Sequence, residues 1–192
     1  MIKAREGRDM KSRTNLVEWA KILTIALMTT VVVRMFLLAP IVVDGHSMQP
    51  TLDSGDKMIV NQIEYTFSQP DRFDIIVFHA PEGKNYIKRV IGLPGDELVY
   101  REDTLYINGE AVEEPYLDSL KGTLYHGQPL TGDFTLQEIT GEAVIPEKFY
   151  FVMGDNRRLS KDSRAIGLVS EEDVIGKANV IFYPFENISI VD

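Results

Sequence analysis

Cysteine is absent from the 192 residues, and histidine occurs only as His46, His79 and His126. Thiol nucleophiles, disulfides and cysteine-based zinc sites are thereby excluded. The three histidines are scattered and form no His-Glu-x-x-His pair. Phosphate-cradling signatures are missing too, since neither G-x-x-x-x-G-K-[ST] nor G-x-G-x-x-G can be written. No metal and no cofactor is expected. A surplus of positive charge is also lacking: the net charge of −9 argues against a nucleic-acid partner.

Long apolar runs are scarce, and the single one is informative. From Ile22 to Val43 the only charged residue is Arg34 and the only proline Pro40. Upstream of and within it, Lys3, Arg5, Arg8, Lys11, Arg13, Lys21 and Arg34 outnumber Glu6, Asp9 and Glu18, seven against three. The head therefore carries +4 and the rest of the chain −13. As a helix, 22–39 would be roughly 27 Å long, close to the ~30 Å hydrocarbon core of a bilayer. Arg34 would snorkel to the interface, and Pro40 would stop the helix. A basic segment ahead of the span favours a cytoplasmic N-terminus. A cleavable signal peptide has the same outline, but Leu37-Leu38-Ala39 puts a large residue at −3 and Pro40 follows directly. The expectation is a cytoplasmic basic N-terminus (1–21), a retained transmembrane helix (22–39) and an extracytoplasmic domain (40–192).

Beyond Asp44 the pattern becomes short runs rich in Val, Ile, Tyr and Phe between turn residues. Met58–Val60, Ile75–His79, Tyr86–Gly92, Leu98–Tyr100, Thr104–Ile107, Lys148–Val152 and Ile175–Tyr183 read as strands. Arg101-Glu102-Asp103 forms a turn, and Asn108-Gly109 is a strong hairpin signal. Ser170-Glu171-Glu172-Asp173 is suited to cap one helical turn. A loop-rich insertion is expected around 96–145, its most polar part being Glu113–Ala143. The acidic doublets Glu113-Glu114 and Glu171-Glu172 read as solvated surface residues. The fold class is mostly β, an antiparallel sheet on one N-terminal membrane helix.

Serine chemistry survives these exclusions. His46 beside Ser47 is a poor base candidate, because neighbours in an extended segment leave on opposite faces. Ser54-Gly55-Asp56-Lys57 matches the S-x-x-K motif of penicillin-binding proteins, but that motif needs a helix and Gly55-Asp56 makes a poor one. More informative is Lys88, a lysine within an otherwise apolar strand. Burial disfavours the charged amine, and an amine lowered toward ~7–8 can take a proton from a serine hydroxyl.

Four stretches in order resemble bacterial type I signal peptidase, in its shorter Gram-positive form. Ser47-Met48-Gln49-Pro50-Thr51-Leu52 is similar to the nucleophile box and Asp71–Phe78 to a strand box. Tyr86–Asp96 is similar to the lysine box. Gly154–Gly167 is similar to the G-D-N-R-x-x-S-x-D-S-R box. The resemblance implies that Ser47 is the acylating nucleophile and Lys88 its general base. Ser160 then bonds the lysine, while Asp155, Asp162, Arg164 and Arg89 brace the site. The Ser47 backbone N–H is one oxyanion donor. Some family members add a serine hydroxyl two residues before the nucleophile, where this chain has Gly45. Ile41, Val43, Met48, Leu52, Tyr86 and Ile87 match positions lining shallow apolar pockets for small residues at −1 and −3. The implied partners are signal peptides of secreted preproteins and membrane lipid. The alternatives are a non-catalytic membrane-tethered binding module of the same fold, or a serine-lysine protease that cuts itself.

Overall fold

The computed structural model describes residues 16–30, 38–124 and 128–191. Residues 1–15, Arg34 with the rest of 31–37, and His126 lie outside the described residues, and with them most of the basic head and part of the proposed span. The chain divides into two units, Met1–Ala39 and Pro40–Asp192.

The described part of the first unit is a helix, α1 (16–30), in which every residue is exposed. It begins upstream of Ile22, and Leu16, Val17 and Trp19 are among its exposed apolar side chains. Among the described residues no helix is long and apolar enough to cross a membrane. The helix expected over 22–39 does not include its last two residues, because Leu38 and Ala39 already belong to strand β1 (Leu38–Val42). Pro40 thus sits inside an extended segment, and proline biases the residue before it toward extended backbone.

The second unit is built on two antiparallel sheets. The larger contains β1, β2 (Lys57–Asn61), β3 (Ile75–His79), β4 (Asn85–Gly92), β9 (Phe149–Met153), β10 (Val169–Ser170) and β11 (Val174–Tyr183). Their order is β1-β2-β11-β3-β4-β9-β10, with β12 (Ser189–Ile190) paired to β11. The smaller sheet comprises β5 (Leu98–Arg101), β6 (Thr104–Ile107), β7 (Glu110–Val112) and β8 (Phe134–Thr135), in the order β7-β6-β5-β8. Each strand foreseen from the apolar runs is present, to within a residue or two at its ends. The strands β7, β8, β10 and β12, of two or three residues each, offer too few residues for a period to be read, and β1 lies in the apolar run read as the end of the helix.

Turn chemistry sets the small sheet. Arg101 pairs with Thr104 and Ile107 with Glu110, leaving two-residue loops at Glu102-Asp103 and Asn108-Gly109. All four loop residues have positive φ, the conformation whose twist matches the flanking strands. Among its described residues the stretch 113–143 carries two short α-helices, α2 (Asp118–Lys121) and α3 (Leu136–Thr140), the latter begun by a Thr135–Glu138 capping box. Leu117, Leu130 and Leu136 within it are buried, so this segment packs on the core. Ser170 caps a single 3₁₀ turn, Glu171–Asp173, by accepting from the Glu172 N–H.

Two core clusters position the chemistry. Ile91, Leu98, Tyr100, Leu105, Phe151 and Met153 join the small sheet to the faces of β4 and β9. Val43, Met48, Leu52, Met58, Ile75 and Ile181 fill the space beneath the loop that carries Ser47. Contacts of this kind contribute roughly 25 cal/mol per Å² of apolar surface removed from water.

Candidate active site

Strand β4 supplies two basic residues to two faces at once. Successive side chains of a strand point in opposite directions, and Ile76 and Ile75 of β3 pair with Lys88 and Arg89 to fix the register. Lys88 is turned toward the loop after β1, where its Nζ lies 2.8 Å from Ser47 Oγ. Its second hydrogen bond goes to the Ile87 carbonyl, at 2.8 Å. The residue is only 3% exposed. Burial lowers the Lys88 amine from its ordinary 10.5 to about 8, against the opposing pull of the Asp162 and Asp155 carboxylates. An amine so placed is neutral for a substantial fraction of molecules near pH 8 and can accept the hydroxyl proton.

Arg89 points the other way and grips Asp155 with two parallel bonds, Nε at 2.9 Å and Nη2 at 2.8 Å. Both side chains are buried, at 1% and 0% exposure. The Arg89 Nη1 group also donates to the Phe73 carbonyl. Asp155 accepts a short bond from Thr51, one turn past the nucleophile. The following residue closes the connection: the Asn156 N–H donates to the Ser47 carbonyl at 3.1 Å, and its side-chain amide to that of His46 at 3.0 Å. Ser47 is therefore held through its own backbone by the loop after β9. A Cβ at Gly154 would collide with Ser160 Oγ and the Ser47 carbonyl, so this approach requires glycine.

Asp162 closes the same loop on itself. It accepts from the Gly154 N–H at 3.0 Å and from Arg164 Nε and Nη2 at 2.8 Å each. Burial would raise its pKa, but Arg164 and the Gly154 N–H hold its carboxyl below the usual range. Ser160 departs from the role implied by resemblance. Its Oγ is buried and makes no hydrogen bond of good geometry among the described residues, to Lys88 or otherwise. It lies near enough to Asp162 to favour that carboxylate.

A cleft of about 480 Å³ opens at the dyad. Ile41, Val43, Met48, Tyr86 and Ile87 line it beside Ser47 and Lys88. Leu52 does not; it is wholly buried beneath the nucleophile loop. Among the described residues, the Ser47 N–H donates to no backbone carbonyl, which leaves it available to a ligand. Among the described residues no histidine side chain bonds to the dyad: His46 is exposed at the cleft, and His79 contacts Asn85 on the adjacent strand.

Sequence reasoning missed a second polar cluster. Glu114 is not a solvated surface acid. It is 6% exposed and pairs with buried Arg157 while accepting from the Tyr100 and Tyr116 hydroxyls. An acidic doublet offers no sign that one member turns inward; Arg157, by contrast, stood within the G-D-N-R stretch.

The family model described as "Signal peptidase, peptidase S26" matches residues 16–183. The chain is 48% identical to "Signal peptidase I" of Bacillus caldolyticus over 162 residues, covering 84% of this chain and 88% of that protein. It is 40% identical over 178 residues to "Signal peptidase IB" of Staphylococcus aureus strain Mu50, covering 90% and 92%. Its fold is similar to the crystal structure of a signal peptidase I from Enterococcus faecalis V583, with a TM-score of 0.55 and 48% identity. That match covers 57% of this chain and 97% of the other.

Proposed function

The chain belongs to the signal peptidase family, peptidase S26, and is a serine endopeptidase that removes signal peptides; from that premise we propose that it works through a Ser47–Lys88 dyad and an acyl-enzyme, anchored in the cell membrane. The observation that carries this reading is the 2.8 Å contact between Lys88 Nζ and Ser47 Oγ within a cleft lined in part by apolar side chains.

In the first step the neutral Lys88 amine takes the Ser47 proton as Oγ attacks the scissile carbonyl. The tetrahedral intermediate collapses when Lys88 returns that proton to the leaving amine, breaking the peptide bond and leaving an ester on Ser47. Water then attacks the ester, giving its proton to Lys88, which passes it to Ser47 Oγ as the acyl carbon–oxygen bond breaks; the new carboxyl terminus leaves and the serine and neutral amine are regenerated. The developing oxyanion is met by the Ser47 N–H, a donor fixed before the reaction begins. With Gly45 two residues earlier, no serine hydroxyl stands there to assist.

Small residues at −1 and −3 of a preprotein fit the shallow walls formed by Ile41, Val43, Met48, Tyr86 and Ile87. The substrate lies extended, since residues 85–88 of β4 pair only with β3 while β9 covers 89–92, leaving an open strand edge. Asp155, Asp162, Arg164 and Arg89 act as braces, with Ser160 beside the Asp162 carboxylate. The exposed apolar side chains of α1 and the apolar run beyond it support an anchor with a cytoplasmic N-terminus and an extracytoplasmic 40–192 domain. The test is cleavage of a precursor bearing small residues at −3 and −1. Ser47→Ala and Lys88→Ala should each lose it, and retained cleavage by either variant would overturn the dyad.

A further inference from the structure

The loop from Gly154 to Arg164 has two faces. One meets the nucleophile, through the Asn156 N–H on the Ser47 carbonyl and Asp155 on Thr51. The other is gripped by the small-sheet lobe. Arg157 sends its guanidinium away from the cleft into that lobe, where Glu114, Tyr100, Tyr116 and Thr131 receive it. The Arg157 side chain is 0% exposed and that of Glu114 is 2%. The backbone carbonyl of Arg157 is in turn held by Arg164 Nη2 at 2.8 Å, the same guanidinium that holds Asp162.

A second connection leaves from the same short segment. The Tyr116 ring lies under the Arg89 guanidinium at 4.0 Å, with Phe73 against its edge at 5.6 Å. Arg89 is the residue that clamps Asp155. Glu114 and Tyr116 therefore reach both cations that fix the loop: Arg157 is the chain neighbour of Asn156, which holds Ser47, and Arg89 is the chain neighbour of Lys88. A charge pair so far from water needs every partner, because removing one strands the other. Nothing in the chemistry of the cleft requires an acid at 114, which touches neither serine nor lysine.

We infer that the small-sheet lobe is a positioning device for the dyad, with Glu114 and Tyr116 as positioning residues that set the Ser47–Lys88 geometry through Arg157 and Arg89. The inference rests on the dyad reading above. Displacement of the loop by a fraction of an ångström would loosen Ser47 through its carbonyl and admit water beside Lys88. The charged groups acting on that amine are Asp155 and Asp162, with the Tyr86 ring at 5.1 Å and Lys161 and Glu82 paired near the cleft. None of these is changed by a substitution at 114 or 116.

The experiment uses the full chain in detergent micelles, with a precursor carrying small residues at −3 and −1. Glu114→Gln, Tyr116→Leu and Tyr116→Phe are compared for kcat, KM, the pH midpoint of kcat/KM and thermal unfolding. A misplacement near 1 Å costs about 100-fold, so Glu114→Gln and Tyr116→Leu should lower kcat by roughly 10- to 100-fold with KM changed less than about threefold. The pH midpoint should move upward as the amine becomes wetter. Tyr116→Phe keeps the ring under Arg89 and should fall between those variants and the parent, which keeps the test open where a more severe variant does not fold. Lower thermal stability with kcat and midpoint at parental values would make the lobe merely structural and overturn the inference, leaving the dyad intact. The dyad fails separately, when Ser47→Ala or Lys88→Ala still cleaves.

Discussion

Ser54 and Lys57 stand three residues apart, whereas Ser47 and Lys88 are separated by 41. The nearer pair is the one that matches a catalytic motif as a string. Yet Gly55 between them has φ of +99°, the chain turns there, and Lys57 begins β2 with its side chain exposed. The Lys57 amine rests over the Tyr183 ring at 4.6 Å, and Ser54 Oγ accepts from the Gly45 N–H. The distant pair is brought to 2.8 Å because β4 pairs with β3 in a fixed register and the loop after β9 holds the Ser47 carbonyl. Spacing in sequence says little about a dyad; burial of the amine and support of the serine backbone say much more. Burial is what brings the Lys88 amine down to about 8.

That contrast can be broken most severely at its centre. Lys88→Ala or Ser47→Ala should reduce precursor cleavage by at least about 10³-fold, since removal of a nucleophile or its base costs this much or more in comparable enzymes. The support comes next. Arg89→Leu strands Asp155 without its cation and should destabilise the fold by about 3–5 kcal/mol, read as a lower thermal midpoint together with loss of activity. The reverse expectation applies to the base itself. The Lys88 amine sits at about 8 in the fold against 10.5 in the unfolded chain. Below about pH 8 both states carry the proton and the cost of the buried charge is felt in full. Between about 8 and 10.5 the unfolded chain binds more protons, so stability rises with pH in that window. Lys88→Met should therefore be inactive yet more stable at pH 7, by roughly 1–3 kcal/mol, with the gain fading toward pH 10.5; a less stable variant would contradict the burial cost. The smallest effect belongs to the other pair. Lys57→Ala should leave cleavage within about twofold, as befits a surface cation.

Much of this was legible from residue types. Ile75–His79 and the run containing Lys88 announced two strands by β-branched and aromatic content, and Asn108-Gly109 announced the hairpin it makes. The lysine amid apolar neighbours marked a candidate base without fixing its pKa. What could not be read depends on distant partners. Glu114 looks like its exposed neighbour Glu113 until Arg157 is placed opposite it. Leu52 shares its box with the nucleophile, yet the turn after Ser47 sends it into the core instead of the cleft. Ser160 was expected beside Lys88, but the amine spends its bonds on Ser47 and its own neighbour's carbonyl.

The central claim is that a desolvated, neutral Lys88 serves Ser47 as base. Its most direct test is the pH dependence of kcat/KM for precursor cleavage by the full chain. The amine's position requires activity to rise with pH through a midpoint near 8; a midpoint near 10.5, the ordinary value for a lysine in water, would contradict it.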